Sequence, residues 1–251
     1  MLEQEELEEV ATQFGVSDVQ VRRDHLISHI LAAIAELDVP VTFFGGTALA
    51  RTHLRDPDAG ARLSEDIDLY GPRRREVAAI LDQELPRLLR REFPGTTWDP
   101  ALSTVRSVDP GQLVSRDGLR VRVQLLDSEG GGHQDLAQWP TERRDVDLRY
   151  SDFRGPVLMR VPQLEAFAAM KTVAWADRHA ARDLYDLAGL ARIGALGAEA
   201  ADLFHRAMGW RLTPHVFALP DLDWEAQLAH QARVLPTARE CLEEVRQGWG
   251  L

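Results

Sequence analysis

The spacing of apolar positions changes several times along the chain, and each change predicts an element. Over residues 19–37, "VQVRRDHLISHILAAIAEL", Val21, Leu26, Ile30, Leu31, Ile34 and Leu37 recur at roughly helical spacing and predict an amphipathic helix. "VPVTFF" follows, short, β-branched and aromatic, which predicts a strand. Gly45 and Gly46 end it, and "TALARTHL" restores helical spacing. "DPDAG" has the composition of a loop, and "LSEDIDLY" alternates as a strand does. "RREVAAILDQELPRLLRREF" predicts a helix interrupted near Pro86. "GLRVRVQLL" is the clearest strand, with Val121, Val123 and Leu125 on one face. From Val161 onward the pattern is predominantly helical. The expectation is an α/β (α+β) chain in two parts, residues 1–155 with strands and N-terminal helices and residues 156–251 helical. No internal repeat or low-complexity tract is present.

Composition narrows the classes of function. The chain has 251 residues, 45% of them hydrophobic, enough for one large core or two modest ones. No stretch reaches the roughly 18 uninterrupted apolar residues of a membrane span. "MLEQEELEEV" is acidic where a secretory signal is basic and then apolar. A soluble, cytoplasmic protein with no membrane partner is therefore expected. Cys241, the only cysteine, excludes an internal disulfide and a thiolate zinc cluster, and reads as a small buried hydrophobe. The net charge of −11 argues against a nonspecific nucleic-acid coat but says nothing about local patches. Lys171 is the only lysine among 29 basic residues. So strong an arginine preference points to a place where a compact ammonium matters, since the guanidinium fork does not replace it.

The stretch "FFGGTALARTHLRDPDAGARLSEDIDLY" holds the densest chemistry. In strand–Gly–Gly–helix, the glycines allow close backbone approach to a ligand, and free N–H groups at the helix start face an anion such as phosphate. In "EDIDL" the period of two puts Asp66 and Asp68 on one face of the strand. Two carboxylates held this close repel unless a cation sits between them, and hard oxygen ligands beside a phosphate suit Mg²⁺, or Mn²⁺ in its place. Either half is commonplace alone. The chain carries its own D-x-D decoy in Asp145 and Asp147. The joint arrangement within 28 residues predicts a nucleotide site suited to phosphoryl or nucleotidyl transfer.

"FFGGTALARTHL" followed by "RLSEDIDLY" resembles the signature of the AbiEii/AbiGii toxin family, a branch of the polymerase-β-like minimal nucleotidyltransferase superfamily. "MKTVAWADRHAARDLYDLAGL" resembles that family's downstream motif, a lysine followed by an arginine and then by an Arg-Asp pair. The resemblance implies a nucleotidyltransferase fold, a small mixed sheet flanked by helices with a helical C-terminal domain. It implies that Gly45, Gly46 and Thr47 hold nucleotide phosphates and that Asp66 and Asp68 bind the metal. Lys171 would contact the triphosphate, with Arg178, Arg182 and Asp183 shaping or assisting the site. The implied activity is transfer of a nucleoside monophosphate from an NTP to an acceptor hydroxyl with release of pyrophosphate. A tRNA 3′ end is the implied acceptor, and the role is that of a toxin with a cognate antitoxin. A small-molecule or protein hydroxyl as acceptor, and a binding module without chemistry, are the alternatives.

The residues themselves support part of this. If residues 171–187 form one continuous helix, Lys171, Trp175, Arg178, Arg182 and Asp186 share one stripe, and Val173, Ala176, Ala180, Leu184 and Leu187 form a core-facing stripe opposite, with Asp183 at the border. One departure matters. The superfamily often supplies a third carboxylate from a later strand, where this chain has Gln124, an amide that cannot take up a proton. Either two carboxylates serve the metal with Asp183 as the third acid, or the register differs, and the general base is unassigned. Arg73, Arg74, Arg75, Arg87, Arg90 and Arg91 could form a basic patch beside the metal site or a solvated face paired with Glu76, Asp82, Glu84 and Glu92. "SEGGGHQ" reads as a flexible turn and His53 as a helix-surface residue. The acidic segment "LEQEELEEV" reads as a helix capping the fold.

Overall fold

A computed structural model describes residues 2–127, 138–233 and 235–251. "SEGGGHQ" lies outside the described residues. The elements in chain order are α1 (Gln4–Phe14), α2 (Asp18–Leu37), β1 (Thr42–Phe44), α3 (Gly45–Thr52), β2 (Asp66–Tyr70), α4 (Arg74–Leu89), β3 (Thr97–Trp98), β4 (Gly111–Val114) and β5 (Arg120–Leu126). They continue with β6 (Thr141–Val146), β7 (Val157–Pro162), α5 (Leu164–Arg178), α6 (Ala181–Arg192), α7 (Ala198–Met208), α8 (Trp224–Leu228) and α9 (Ala238–Trp249).

The described strands form one mixed sheet in the order β3-β4-β5-β2-β1-β7-β6. β1 pairs antiparallel with β2, β2 pairs parallel with β5, and β7 joins the other side of β1 in parallel. The mixed sheet flanked by helices is the fold class expected. Ile67, Leu69, Val121, Val123 and Leu125 are buried and pack with Ile27, Ile30, Ile34 and Leu81 from the covering helices α2 and α4. α1 seats Leu7 and Phe14 in a smaller cluster with Val21, Leu63 and Tyr150, and Glu6 accepts from the backbone N–H and hydroxyl of Ser151, so the acidic segment is a capping helix.

Two predicted features are corrected. α4 runs through Pro86 without interruption. The ring removes one intrahelical bond, but burial of Val77, Leu81, Leu85 and Leu89 along one face holds the helix together. The helix expected over residues 171–187 is two helices. His179 caps α5 in the left-handed conformation, φ 49°, and Ala180 is extended. Trp175, placed on the functional stripe by a continuous helix, precedes the break within α5, is wholly buried and donates its indole N–H to Val216 O at 2.9 Å.

Candidate active site

The glycine pair opens α3 directly off β1, and β2 returns beside it in antiparallel register, Phe44 opposite Asp68. Asp66 and Asp68 are half-buried and flank the fully buried Ile67, as the period of two requires. Gly45 has φ +78°, and a Cβ there would lie 2.0 Å from an Asp68 carboxylate oxygen. A Cβ on Gly46 would lie 2.4 Å from the Arg62 guanidinium. The glycines thus admit the site's own charged side chains against the helix start. The Thr47 hydroxyl donates to the backbone oxygen of Asp66, locking α3 to β2. Arg51, further along α3, is buried and bonded to Asp24 of α2 at 2.8 Å, which fixes the helix from behind.

Four of the predicted residues meet on the other wall. The Lys171 ammonium lies 3.1 Å from Asp183 Oδ1 and 2.6 Å from Asp186 Oδ2. Arg178 donates to both oxygens of Asp183, at 2.7 and 3.0 Å. Asp183 is completely buried, and its two oxygens accept from Lys171 and Arg178. Arg182 Nη1 stands 3.9 Å from Asp66 Oδ2.

Two arginines missing from the sequence-based set complete the charge pattern. Arg122 grips Asp66 through paired bonds of 2.7 and 2.8 Å, and Arg62 grips Asp186 through bonds of 2.9 and 3.0 Å. Neither carries a local motif. Arg122 is placed by the β2–β5 register, in which it pairs with Asp66 and Gln124 with Asp68. Gln124 thus lies beside Asp68, and its amide donates to Val108 O at 2.8 Å.

The electrostatics divide the carboxylates into two groups. Burial and the neighbouring charge of Asp66 push Asp68 up to about 6, against Lys171, Arg178 and Arg182, which pull it down. Burial would raise Asp186 too, but Arg62 and Lys171 outweigh it and hold that carboxyl at about 2. Asp183 is likewise lowered, burial being overcome by Lys171 and Arg178. A divalent cation fits beside Asp66 and Asp68. They are hard oxygen donors on one face of a strand, and a cation there would offset both the burial that chiefly raises the Asp68 pKa and the neighbouring charge of Asp66.

Two adjoining cavities meet at Gly46, Asp68, Lys171 and Arg178. One, of about 250 Å³, is polar and lined by Arg62, Asp66, Arg122 and Arg182. The other, of about 380 Å³, is lined by Phe44, Leu126, Trp139, Phe167, Met170 and Met208. Other sequence-based readings are settled by position. Arg73, Arg74 and Arg75 follow the end of β2 remote from Asp66, and Arg74 is spent on the carbonyls of Leu102, Val105 and Leu125. Arg73 and Arg87 form surface pairs with Glu76 and Glu84, as on a solvated helix face. His53 is not a helix-surface residue. Its side chain is 6% exposed, stacks edge-on against Phe167, and burial with Arg144 and Arg55 pulls its pKa down to about 4. Cys241 is buried as expected. Asp145 lies on edge strand β6, and the Asp147 carboxylate accepts from the backbone of Arg149, which makes that D-x-D a turn feature.

The same fold is found in solved structures. The chain superposes on the nucleotidyltransferase toxin MenT4 (Rv2826c) of Mycobacterium tuberculosis H37Rv with a TM-score of 0.70 at 18% identity, covering 99% of this chain and 89% of that one. It superposes on JHP933 of Helicobacter pylori with a TM-score of 0.55 at 16% identity, covering 94% and 92%. No curated protein matches the sequence. The sequence model of the family described as "Nucleotidyl transferase AbiEii toxin, Type IV TA system" matches residues 29–248, and the chain belongs to that family of nucleotidyltransferase toxins. Among the described residues, no helix is long and apolar enough to cross a membrane.

Proposed function

We propose that this toxin transfers a nucleoside monophosphate from an NTP to the 3′ hydroxyl of a tRNA, and that a cognate antitoxin restrains it. The observation that carries the reading is the junction of the α3 N-terminus, the Asp66–Asp68 face and the cation wall of Lys171, Arg178 and Arg182 at two adjoining cavities. The polar cavity suits the triphosphate, and the apolar one, with Trp139 and Phe167, suits the nucleoside. Gly45, Gly46 and Thr47 present backbone N–H groups to phosphate oxygens. Asp66 and Asp68 would hold Mg²⁺ or Mn²⁺, which when bound neutralises charge on the attacking and leaving oxygens.

The acceptor oxygen attacks the α-phosphorus, the bond to the β-phosphate breaks, and pyrophosphate departs as the hydroxyl proton passes to solvent. Lys171, fixed between Asp183 and Asp186, offers its remaining N–H toward the leaving phosphates. Arg178 and Arg182 orient the triphosphate. Arg122, which neutralises Asp66 in this structure, supplies the charge that the cation replaces. Mutual positioning of NTP and acceptor accounts for the rest of the catalysis.

Incubation of the protein with each α-³²P-labelled NTP, Mg²⁺ and total RNA, resolved on a denaturing gel, tests the reading. The expected result is label in tRNA-sized bands with one favoured NTP, lost in Asp66→Ala/Asp68→Ala. Label in a small-molecule or protein fraction would redirect the acceptor. No incorporation by folded protein that binds nucleotide would leave a binding module.

A further inference from the structure

Outside the nucleotide site, α2 carries His25 and His29 one helical turn apart, so both rings project from one side of the helix. Asp152, in the connection between β6 and β7, meets them there. Its Oδ2 atom lies 2.9 Å from His25 Nε2 and 3.1 Å from His29 Nε2, and the two Nε2 atoms are 3.2 Å apart. Hydrogen bonds alone account poorly for this triangle. With a proton on both nitrogens, two N–H groups crowd onto the one Asp152 oxygen with their nitrogens 3.2 Å apart. With a proton on one, the other nitrogen turns a lone pair to a carboxylate oxygen no more than 3.1 Å away.

A cation capping the triangle, just off the plane of the three atoms, satisfies all three donors. Ligand atoms about 2.0–2.1 Å from a zinc-sized ion stand about 3.0 Å apart at right angles and about 3.4 Å apart at tetrahedral angles. The observed spacings lie at the close end of that range. We propose that His25, His29 and Asp152 form a binding site for one divalent transition-metal ion of the zinc class, distinct from the Asp66–Asp68 pair. Two imidazoles and one carboxylate suit such an ion better than the all-oxygen shell that magnesium prefers.

The surroundings assign it a structural role. The site is set in aromatic packing, with His25 edge-on to Tyr150 at 4.8 Å and His29 against Phe153 at 4.5 Å. His25 and Glu92 line a cavity of about 540 Å³, room for a solvent molecule or a further oxygen donor to complete the coordination. Tyr150, two residues before Asp152, donates to Asp24 Oδ2, and Asp24 holds Arg51 of α3. The ion therefore fastens the β6–β7 connection to α2, the helix that braces α3 behind the nucleotide site.

The test uses the full chain with Asp66→Asn/Asp68→Asn, so that the nucleotide-site carboxylates do not bind the probe. Titration with Co²⁺ is expected to give visible d–d absorption saturating at one equivalent. Zn²⁺ at about a hundredfold excess over Kd is expected to raise Tm by roughly 5–10 °C. Adding His29→Gln or Asp152→Asn should weaken Co²⁺ binding by at least about a hundredfold, more than loss of an outer hydrogen-bonding partner costs. Absence of both the band and the Tm shift in protein with the triad intact would overturn the proposal without reliance on the triad variants folding. A band or shift that persists in folded His29→Gln would overturn it equally, by locating the ion elsewhere. Neither readout depends on nucleotidyl transfer.

Discussion

At the scale of single residues, the site sets two kinds of carboxylate against each other. Asp183 and Asp186 are saturated by Lys171, Arg178 and Arg62, and both are held below the usual carboxylate range. Removing Lys171 would leave these two buried carboxylates without their shared cation. Asp68 is the reverse case, an acid pushed from 3.8 to about 6, chiefly by burial. The folded chain holds a proton on Asp68 that the unfolded chain has already released between those two values, so this residue costs stability progressively as pH rises through that window. In metal-free protein, Asp68→Asn should therefore be more stable than wild type at pH 7.5, by about 1–2 kcal/mol for a half-buried group, and nearly equal to it below pH 4. Thermal melts of both proteins in chelator across that range check the sign. The same variant should lose nucleotidyl transfer, and a stability gap that does not grow with pH would contradict the assignment.

At the scale of elements, the break between α5 and α6 decides which side chains reach the site. With residue 179 left-handed, α6 starts afresh at Ala181, and Asp183 in its first turn meets Lys171 and Arg178 of α5. A left-handed site penalises a Cβ by about 1–2 kcal/mol, while a helix interior prefers alanine to glycine by about 0.5–1 kcal/mol. His179→Gly should thus be more stable than His179→Ala by about 1 kcal/mol. A continuous helix would reverse that order, which urea unfolding of the two variants reads directly. Periodicity misses this break because no glycine or proline marks it: the sequence there is "DRHAARD". β1, β2, β5 and the helices beside them are legible because each has a clean apolar period. β6, "TERRDV", is not, because it is an edge strand with one buried residue. The glycine pair, the D-x-D and the Lys–Arg–Asp motif are legible as local patterns. Arg122 and Arg62 are not, since one depends on cross-strand register and the other on Asp186, 124 residues away.

At the scale of the whole molecule, a chain of net charge −11 must gather its cations where an RNA acceptor would lie. Arg122, Arg178 and Arg182 come from β5, α5 and α6 to one opening, with side chains 51%, 54% and 36% exposed. Each makes ion pairs within the site, yet a guanidinium carries five N–H donors and retains some for a phosphate backbone. If these three contact RNA, binding releases about three counterions' worth of charge, and tRNA affinity should fall about 20–40-fold between 50 and 200 mM salt. A small neutral acceptor would show almost none of this. The measurement is the Kd of labelled tRNA by anisotropy over that range, with a nonreactive NTP analogue kept saturating so that its own salt response does not enter. Replacing Arg182 by Gln should lower the magnitude of the log–log slope by about one unit and leave the fold intact. A flat response in the wild type, alongside NTP turnover on another hydroxyl, would mean that the arginines serve only the triphosphate and that the acceptor is recognised without its charge.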